Sequence, residues 1–202
     1  YLKYRRWKSS AEVLDFGGWH GQNIPDIANQ TNKYILDKSK HKTFSEIRVI
    51  NDLKTNKKFD FIMSTHVFEH LLSPLKELKV LRSSLKKEGL IYLELPADIV
   101  GLLSKPPMYE HINFFSRNSI IKLADLANLE VLSIEIFKYP YSYHETIAYI
   151  VLLQKRSKNK KGTRLNIFRK IFNTLIDIIQ YIEIKILKKN TITFTNNFKF
   201  NN

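Results

Sequence analysis

The sequence predicts an α/β domain: a seven-stranded, mostly parallel sheet with helices on both faces, followed by a C-terminal amphipathic helix. Three observations carry this. Short apolar runs alternate with helix-period segments as far as about residue 154. The first run ends in an acid and a glycine-bearing turn, Asp15-Phe16-Gly17-Gly18-Trp19-His20-Gly21. At Lys155 the composition changes abruptly to a basic, turn-rich stretch.

Taken in order, residues 11–16 read as a first strand, broken at Gly17-Gly18. Residues 22–30 read as a short helix with Pro25 in its first turn, where a missing N–H costs little. Residues 34–36 form a second strand ending at Asp37, 47–50 a third ending at Asn51-Asp52, and 59–64 a fourth. Ser73 and Pro74 supply the N-cap and first position of a helix whose Leu75, Leu78, Leu81 and Leu85 share one face. Lys86-Lys87-Glu88-Gly89 reads as its basic last turn and stop. A fifth strand at 90–95 closes on Pro96, a helix begins after Ser116, and strands at 130–137 and 147–153 flank a Tyr139-Pro140-Tyr141 turn.

The 202 residues suffice for one well-cored domain of about 150 residues plus an appendage. Residues 1–10 read as a lead-in, a truncated one given the missing initiator Met, and 11–154 as the domain itself. Residues 155–164 are a basic linker, 165–189 the amphipathic helix, and 190–202 an Asn/Thr/Phe-rich tail expected to be disordered. Without cysteine the chain can form neither disulfides nor thiolate–zinc sites. No apolar run reaches the ~18–20 residues that span a bilayer, so the expected location is the cytoplasm, with peripheral membrane contact through the tail. The formal charge of +14 is uneven: residues 155–202 hold 12 Lys or Arg against Asp177 and Glu183, a net +10. The domain keeps only +4, so the basic signal says little about its pocket.

The chemistry-bearing feature is the strand–acid–glycine turn. Glycines let backbone approach a ligand closely, and in open α/β sheets ligands gather at the carboxyl ends of strands, near the point where strand order reverses. Asp15, Gly17, Asp37, Asp52 and Ser64 all fall at such ends. Asp37 lies twenty residues after Gly17, where a carboxylate can accept hydrogen bonds from ribose hydroxyls. On spacing alone a nicotinamide dinucleotide site would look similar, and an isolated strand-end Asp is equally a turn residue.

An ordered set of further motifs narrows this: Val13-Leu14-Asp15-Phe16-Gly17-Gly18, Phe59-Asp60-Phe61-Ile62, Val67-Phe68-Glu69-His70-Leu71, Leu85-Lys86-Lys87-Glu88-Gly89, Leu93-Glu94-Leu95-Pro96 and Glu110-His111-Ile112-Asn113-Phe114-Phe115-Ser116. Over roughly residues 11–153 the set resembles the class I S-adenosylmethionine-dependent methyltransferases, in the branch that includes sugar and small-molecule methyltransferases. The resemblance implies a Rossmann-like sheet with S-adenosyl-L-methionine as cofactor. It places Asp15, Gly17, Gly18 and Gly21 around the methionine end, Asp37 on the ribose, and Asp52 with Leu53 by the adenine. Ser64, Thr65 and His66 would line the sulfonium side, with Glu69-His70 as a structural or pocket-edge element. The family's loop usually reads Gly-x-Gly-x-Gly; here Trp19 holds the middle position, where an indole can cap the site, point outward or obstruct it.

Methyl transfer from a sulfonium is a displacement that alignment promotes, and a hydroxyl or carbon nucleophile also needs its proton removed. Glu110 and His111 are the candidate acid–base pair, histidine having a suitable ordinary pKa. A similar Tyr-x-Glu-His stretch supplies acid–base residues in sugar C-methyltransferases; Met108 stands at the Tyr position, beside Tyr109. The bland alternative makes His111 a packing residue. Tyr139, Tyr141, Tyr143 and His144 read as a substrate mouth or as half-buried strand ends. His20 and His41 have no metal-ligand spacing, and no metal is expected.

The expected function is methyl transfer to a small molecule or sugar, such as a surface-glycan or lipid precursor. A non-catalytic methyltransferase-like scaffold and an RNA methyltransferase are its rivals. Residues 165–189 carry a wide apolar face with basic ends, which suits packing on the domain, a homodimer, or an anionic membrane surface. Nucleic acid is the less favoured partner, since the tail holds charge without a reading module.

Overall fold

The computed structural model describes residues 7, 10–27, 31–39, 42–53, 56–97, 110–138, 147–157, 167–186 and 191–192. His41, Met108, Tyr109 and the Tyr139–His144 cluster lie outside them. One mixed sheet organises the chain. Its strands are β1 (Glu12–Phe16), β2 (Asn32–Leu36), β3 (Ile47–Val49), β4 (Phe59–Thr65), β5 (Leu85–Pro96), β6 (Leu129–Lys138), β7 (Ile147–Lys155) and a two-residue β8 (Thr191–Ile192). Their spatial order is β3-β2-β1-β4-β5-β7-β6-β8. β1 to β5 pair in parallel, and β7 runs antiparallel to both β5 and β6. The seven expected strands are thus present, with β8 added at the edge of β6.

Strand order reverses between β1 and β4, so their carboxyl ends part and leave a crevice. The larger core lies on one face, where Leu14, Phe16, Ile62, Ile91 and Leu93 meet Leu78 and Leu81 of α1 (Pro74–Ser84) and Ile120 and Ala124 of α2 (Arg117–Leu126). Val13, Ile35, Phe61 and Met63 point to the other face and form a smaller cluster with Ile24 and Leu90. This is the period-two alternation of strands buried on both sides.

Two local expectations are corrected. Residues 22–27 are turn and irregular backbone in place of the helix expected over 22–30, of which 28–30 lie outside the described residues. In the described part of this β1–β2 connection, which contains Pro25, Ile24 is buried in the smaller cluster and Ile27 packs against it. Leu85–Gly89 continues β5 instead of closing α1: α1 ends at Ser84, and buried Leu85 pairs with Phe59. A register shift between Phe59 and Phe61 absorbs the extra residues, and Lys86 meets Asp60 at 2.6 Å. At α1 Pro74 takes the first position as expected, but Ser73 makes no capping hydrogen bond. α2 has a reciprocal capping box between Ser116 and Ser119.

α3 (Ile167–Ile186) docks through its polar side. Arg117, the first residue of α2, donates to Asp177 Oδ1 at 2.6 Å, Gln180 Oε1 at 2.7 Å and the Ile134 carbonyl at 3.1 Å. The Tyr149 hydroxyl donates to Asp177 Oδ2 at 2.8 Å. All four side chains are buried. Burial pushes the Asp177 carboxyl above the usual carboxylate range, while the Arg117 charge and the Tyr149 hydroxyl oppose the rise. Removing one member of such a pair strands the other charge away from water. Arg117→Ala is therefore expected to lower unfolding free energy by about 3 kcal/mol in urea titration. An unchanged midpoint would show the network to be dispensable.

Candidate active site

The crevice between β1 and β4 opens into a cavity of about 620 Å³. Gly17, Gly18 and Trp19 form one wall, Thr65, His66 and Glu94 another, and Phe61, Met63 and Tyr92 the floor. Gln22, Asn23 and Pro25 close the side where the helix was expected.

Asp15 sits directly beneath the glycine turn, fully buried, with neither carboxylate oxygen hydrogen-bonded. A Cβ on Gly18 would fall 2.2 Å from its Cγ and Oδ2. Gly17 adopts φ 77°, and a Cβ there would fall 2.4 Å from Val67 Cγ2. Neither position accepts a side chain, so backbone alone lies between Asp15 and the cavity. Gly21, at φ 85°, serves packing: a Cβ there would strike Ile47 and Ile35. Burial, and then the Asp37 charge, push the Asp15 carboxyl up to about 7.

Trp19 takes the left-handed backbone (φ 48°) that the usual glycine would take. Its amide donates to Asp37 Oδ2 at 2.9 Å, and its indole, half exposed, lies against His20 with ring centroids 4.5 Å apart. Trp19 is one of the residues that line the cavity. Asp37 Oδ1 accepts from the backbone N–H and hydroxyl of Ser39.

At the end of β4, His66 (φ 53°) places Nδ1 3.3 Å from Glu69 Oε1 and Nε2 3.2 Å from Glu94 Oε1. Bonds to Glu69 and then Glu94 hold its pKa up at about 9 against partial burial, so His66 is a cation at neutral pH. Glu94 also accepts from the Tyr92 hydroxyl at 2.8 Å. Glu69 is buried, with Oε2 unpartnered. The next residue, His70, donates from Nδ1 to the Glu110 carbonyl at 2.8 Å, since a carbonyl can only accept. Its ring packs edge-on against His111, centroids 4.9 Å apart. Asn113 Nδ2 donates to the carbonyls of Leu71 (2.6 Å) and Phe68 (3.1 Å), tying the 110–115 stretch to the turn after β4. Glu69, His70 and His111 bring ligand atoms within 4.8 Å of one another.

Of the expected site residues, Gly17, Gly18 and His66 line the cavity, with Asp15 beneath and Asp37 bound to its rim. Ser64 is a structural tie, its hydroxyl donating to the Phe16 carbonyl at 3.0 Å. Asp52 is exposed, Leu53 packs against the larger core, and neither is a lining residue. Glu110 is exposed and His111 half-buried, joined to the cavity through His70, Glu69 and His66. Sequence reasoning missed Phe61, Met63, Tyr92 and Glu94 as lining residues and His70 as the partner of His111. The alternation along β4 and β5 was the available signal, because 61, 63 and 65 necessarily share a face.

Residues 3–134 match the family model described as a methyltransferase domain. Among solved structures the fold is similar to that of the YcgJ protein of Bacillus subtilis (TM-score 0.62, 13% identity, 77% of this chain and 96% of that one). It is also similar to 1,6-didemethyltoxoflavin-N1-methyltransferase of Burkholderia thailandensis, solved with bound 1,6-didemethyltoxoflavin and S-adenosylhomocysteine (0.58, 13%, 73% and 72%). A third similar structure is an S-adenosylmethionine-dependent methyltransferase of Clostridium acetobutylicum (0.55, 12%, 74% and 85%). No curated protein matches in sequence.

The Asp15 shift fixes a pH dependence. The folded chain holds that proton up to about pH 7 and the unfolded chain releases it near 3.8, so stability is lost as pH rises between the two. Asp15→Asn is expected to be about 4 kcal/mol more stable than the parent at pH 8 and no more stable below pH 4. Thermal unfolding at the two pH values checks this, and a gain equal at both would refute it.

Proposed function

The chain belongs to the methyltransferase domain family, and on that premise we propose that it transfers a methyl group from S-adenosylmethionine to a small-molecule acceptor through the β1–β4 crevice. The observation that carries the reading is the buried, unpartnered Asp15 carboxylate beneath a side-chain-free Gly17-Gly18 turn at the strand switch point. Such a cradle admits a polar ligand against backbone, and a cationic ligand would favour the ionised form of Asp15.

S-adenosylmethionine, when bound, supplies a methyl group on a sulfonium, released by direct displacement. Gly17 and Gly18 would receive its amino-acid end; Glu69 and Glu94 against the single His66 cation leave a net negative charge at the opposite wall, and a bound cation would draw Asp15 towards its ionised form. Asp37 would hold the ribose, and the Trp19 indole would close the wall beside it. The His66 cation, held between Glu69 and Glu94, would keep Glu94 facing the cavity. His111 would take the acceptor's proton. His70, with Nδ1 committed to the Glu110 carbonyl, would fix the ring and backbone that present His111 and Glu110.

Calorimetric titration with S-adenosylmethionine is expected to show saturable binding, weakened at least about tenfold by Gly18→Ala and Asp37→Ala, the loss expected for one misplaced or missing polar contact. No binding at millimolar cofactor would sink the reading. Against a panel of sugar and small-molecule acceptors, read out as S-adenosylhomocysteine release, His111→Ala is expected to lower kcat by about 10²–10⁴ with cofactor affinity retained. Full activity in that variant would transfer the role of base to another group.

A further inference from the structure

α3 meets the domain with the side that a water-facing helix would normally turn outward. Asp177 and Gln180 are buried on Arg117, Asn173 Nδ2 donates to Asn118 Oδ1 at 2.9 Å, and Asn118 Nδ2 donates to the Lys170 carbonyl at 3.2 Å. The opposite side therefore faces out: Ile167, Phe168, Ile171, Phe172, Leu175 and Ile179 are all exposed, Phe168 by 77%. Singly exposed apolar residues are ordinary; a continuous stripe over three turns of one helix marks a surface built for an apolar environment.

The location of the stripe adds to this. Arg117 and Asn118, on which α3 docks, open α2 directly after the Glu110–Phe115 stretch, and Phe115 bridges to Ala97 just past the carboxyl end of β5. α3 thus lies at the end of the sheet that carries the candidate active site. Ile112, Phe114 and Leu72, the last 92% exposed, stand on the neighbouring loops of that same end.

We infer that the outward face of α3 is an interfacial anchor that lies in the plane of an anionic membrane surface and holds the active-site end of the domain against it. Charge chooses this occupant. Lys158, Lys160, Lys161 and Arg164 precede the helix in sequence, Lys188 and Lys189 follow it, and residues 155–202 carry a net +10. Basic flanks about an apolar face are what anionic headgroups over acyl chains attract. A second copy would set +10 against +10. No helix among the described residues is long and apolar enough to cross a membrane, so α3 lies on the surface.

Flotation of the full chain with phosphatidylglycerol–phosphatidylcholine vesicles and with pure phosphatidylcholine vesicles tests the anchor. Partition is expected to be at least about tenfold stronger on the anionic vesicles, the factor that one or two basic side chains near a charged surface supply. It is expected to fall on moving from about 0.1 M to about 1 M salt. Phe168→Glu and Ile171→Glu should each abolish flotation while leaving the thermal midpoint unchanged, because both side chains are exposed. Two results would overturn the inference: a chain that stays in solution with both vesicle types, or a dimer by light scattering that both variants dissociate without any flotation of the parent.

Discussion

The end of the sheet that carries the candidate site is organised around one carboxylate that water does not reach. Asp15 ends β1 inside the sheet, and neither of its oxygens has a hydrogen-bond partner. Such burial opposes ionisation strongly and is tolerated only where the surrounding backbone cannot relax onto the group. The relaxation is blocked because Gly17, with positive φ, turns the chain away and Gly18 lies across the carboxylate with no room for a side chain. From this follow the reversal of the chain, the carboxylate-anchored Trp19 amide, and a cavity whose wall is bare backbone. The strained left-handed Trp19 is held in place by its bond to Asp37. Local strain is compensated by a hydrogen bond from the neighbouring strand end, as is common where backbone is shaped for a ligand.

Charge at the far wall is arranged on the opposite principle. Glu69 and Glu94 are drawn close by a histidine that they keep protonated, so one of the two negative charges is balanced within the protein and one remains. The chain continues through Glu69 to His70, and His70 fixes the stretch that carries Glu110 and His111. Strand end, turn and loop are thereby connected through one chain of side chains. Loops positioned by a rigid sheet are where polar function is expected to collect.

The C-terminal helix shows how tertiary context reverses a surface reading. Amphipathicity alone assigns the apolar stripe to the domain and the Asn173, Asp177 and Gln180 side to water. Arg117 overrides that assignment, because a buried guanidinium must find acceptors and α3 supplies two from consecutive turns. Nothing local to residues 167–186 signals the reversal. The cause lies some sixty residues earlier, in a residue that reads as an ordinary helix-start Arg.

Periodicity and turn chemistry by themselves determined the strand series, the parallel character of the sheet, and the acid–glycine turn at its first strand end. These properties are local: a strand's two-fold alternation, a proline at a first helical turn and a glycine where no Cβ fits are set by neighbours in sequence. Where local signals compete, the sequence was less decisive. Residues 22–27 are helix-compatible in sequence yet form turn and irregular backbone. Lys86-Lys87-Glu88-Gly89 reads as a helix stop until Leu85 is seen paired with Phe59. The site divides the same way. Asp15, Gly17, Gly18 and Asp37 could be picked out from strand ends alone. Tyr92, Glu94 and the His70–His111 contact became visible only when β4, β5 and the 110–115 stretch were brought together. Which side of α3 faces outward was also a tertiary decision, made by the need to satisfy one buried charge.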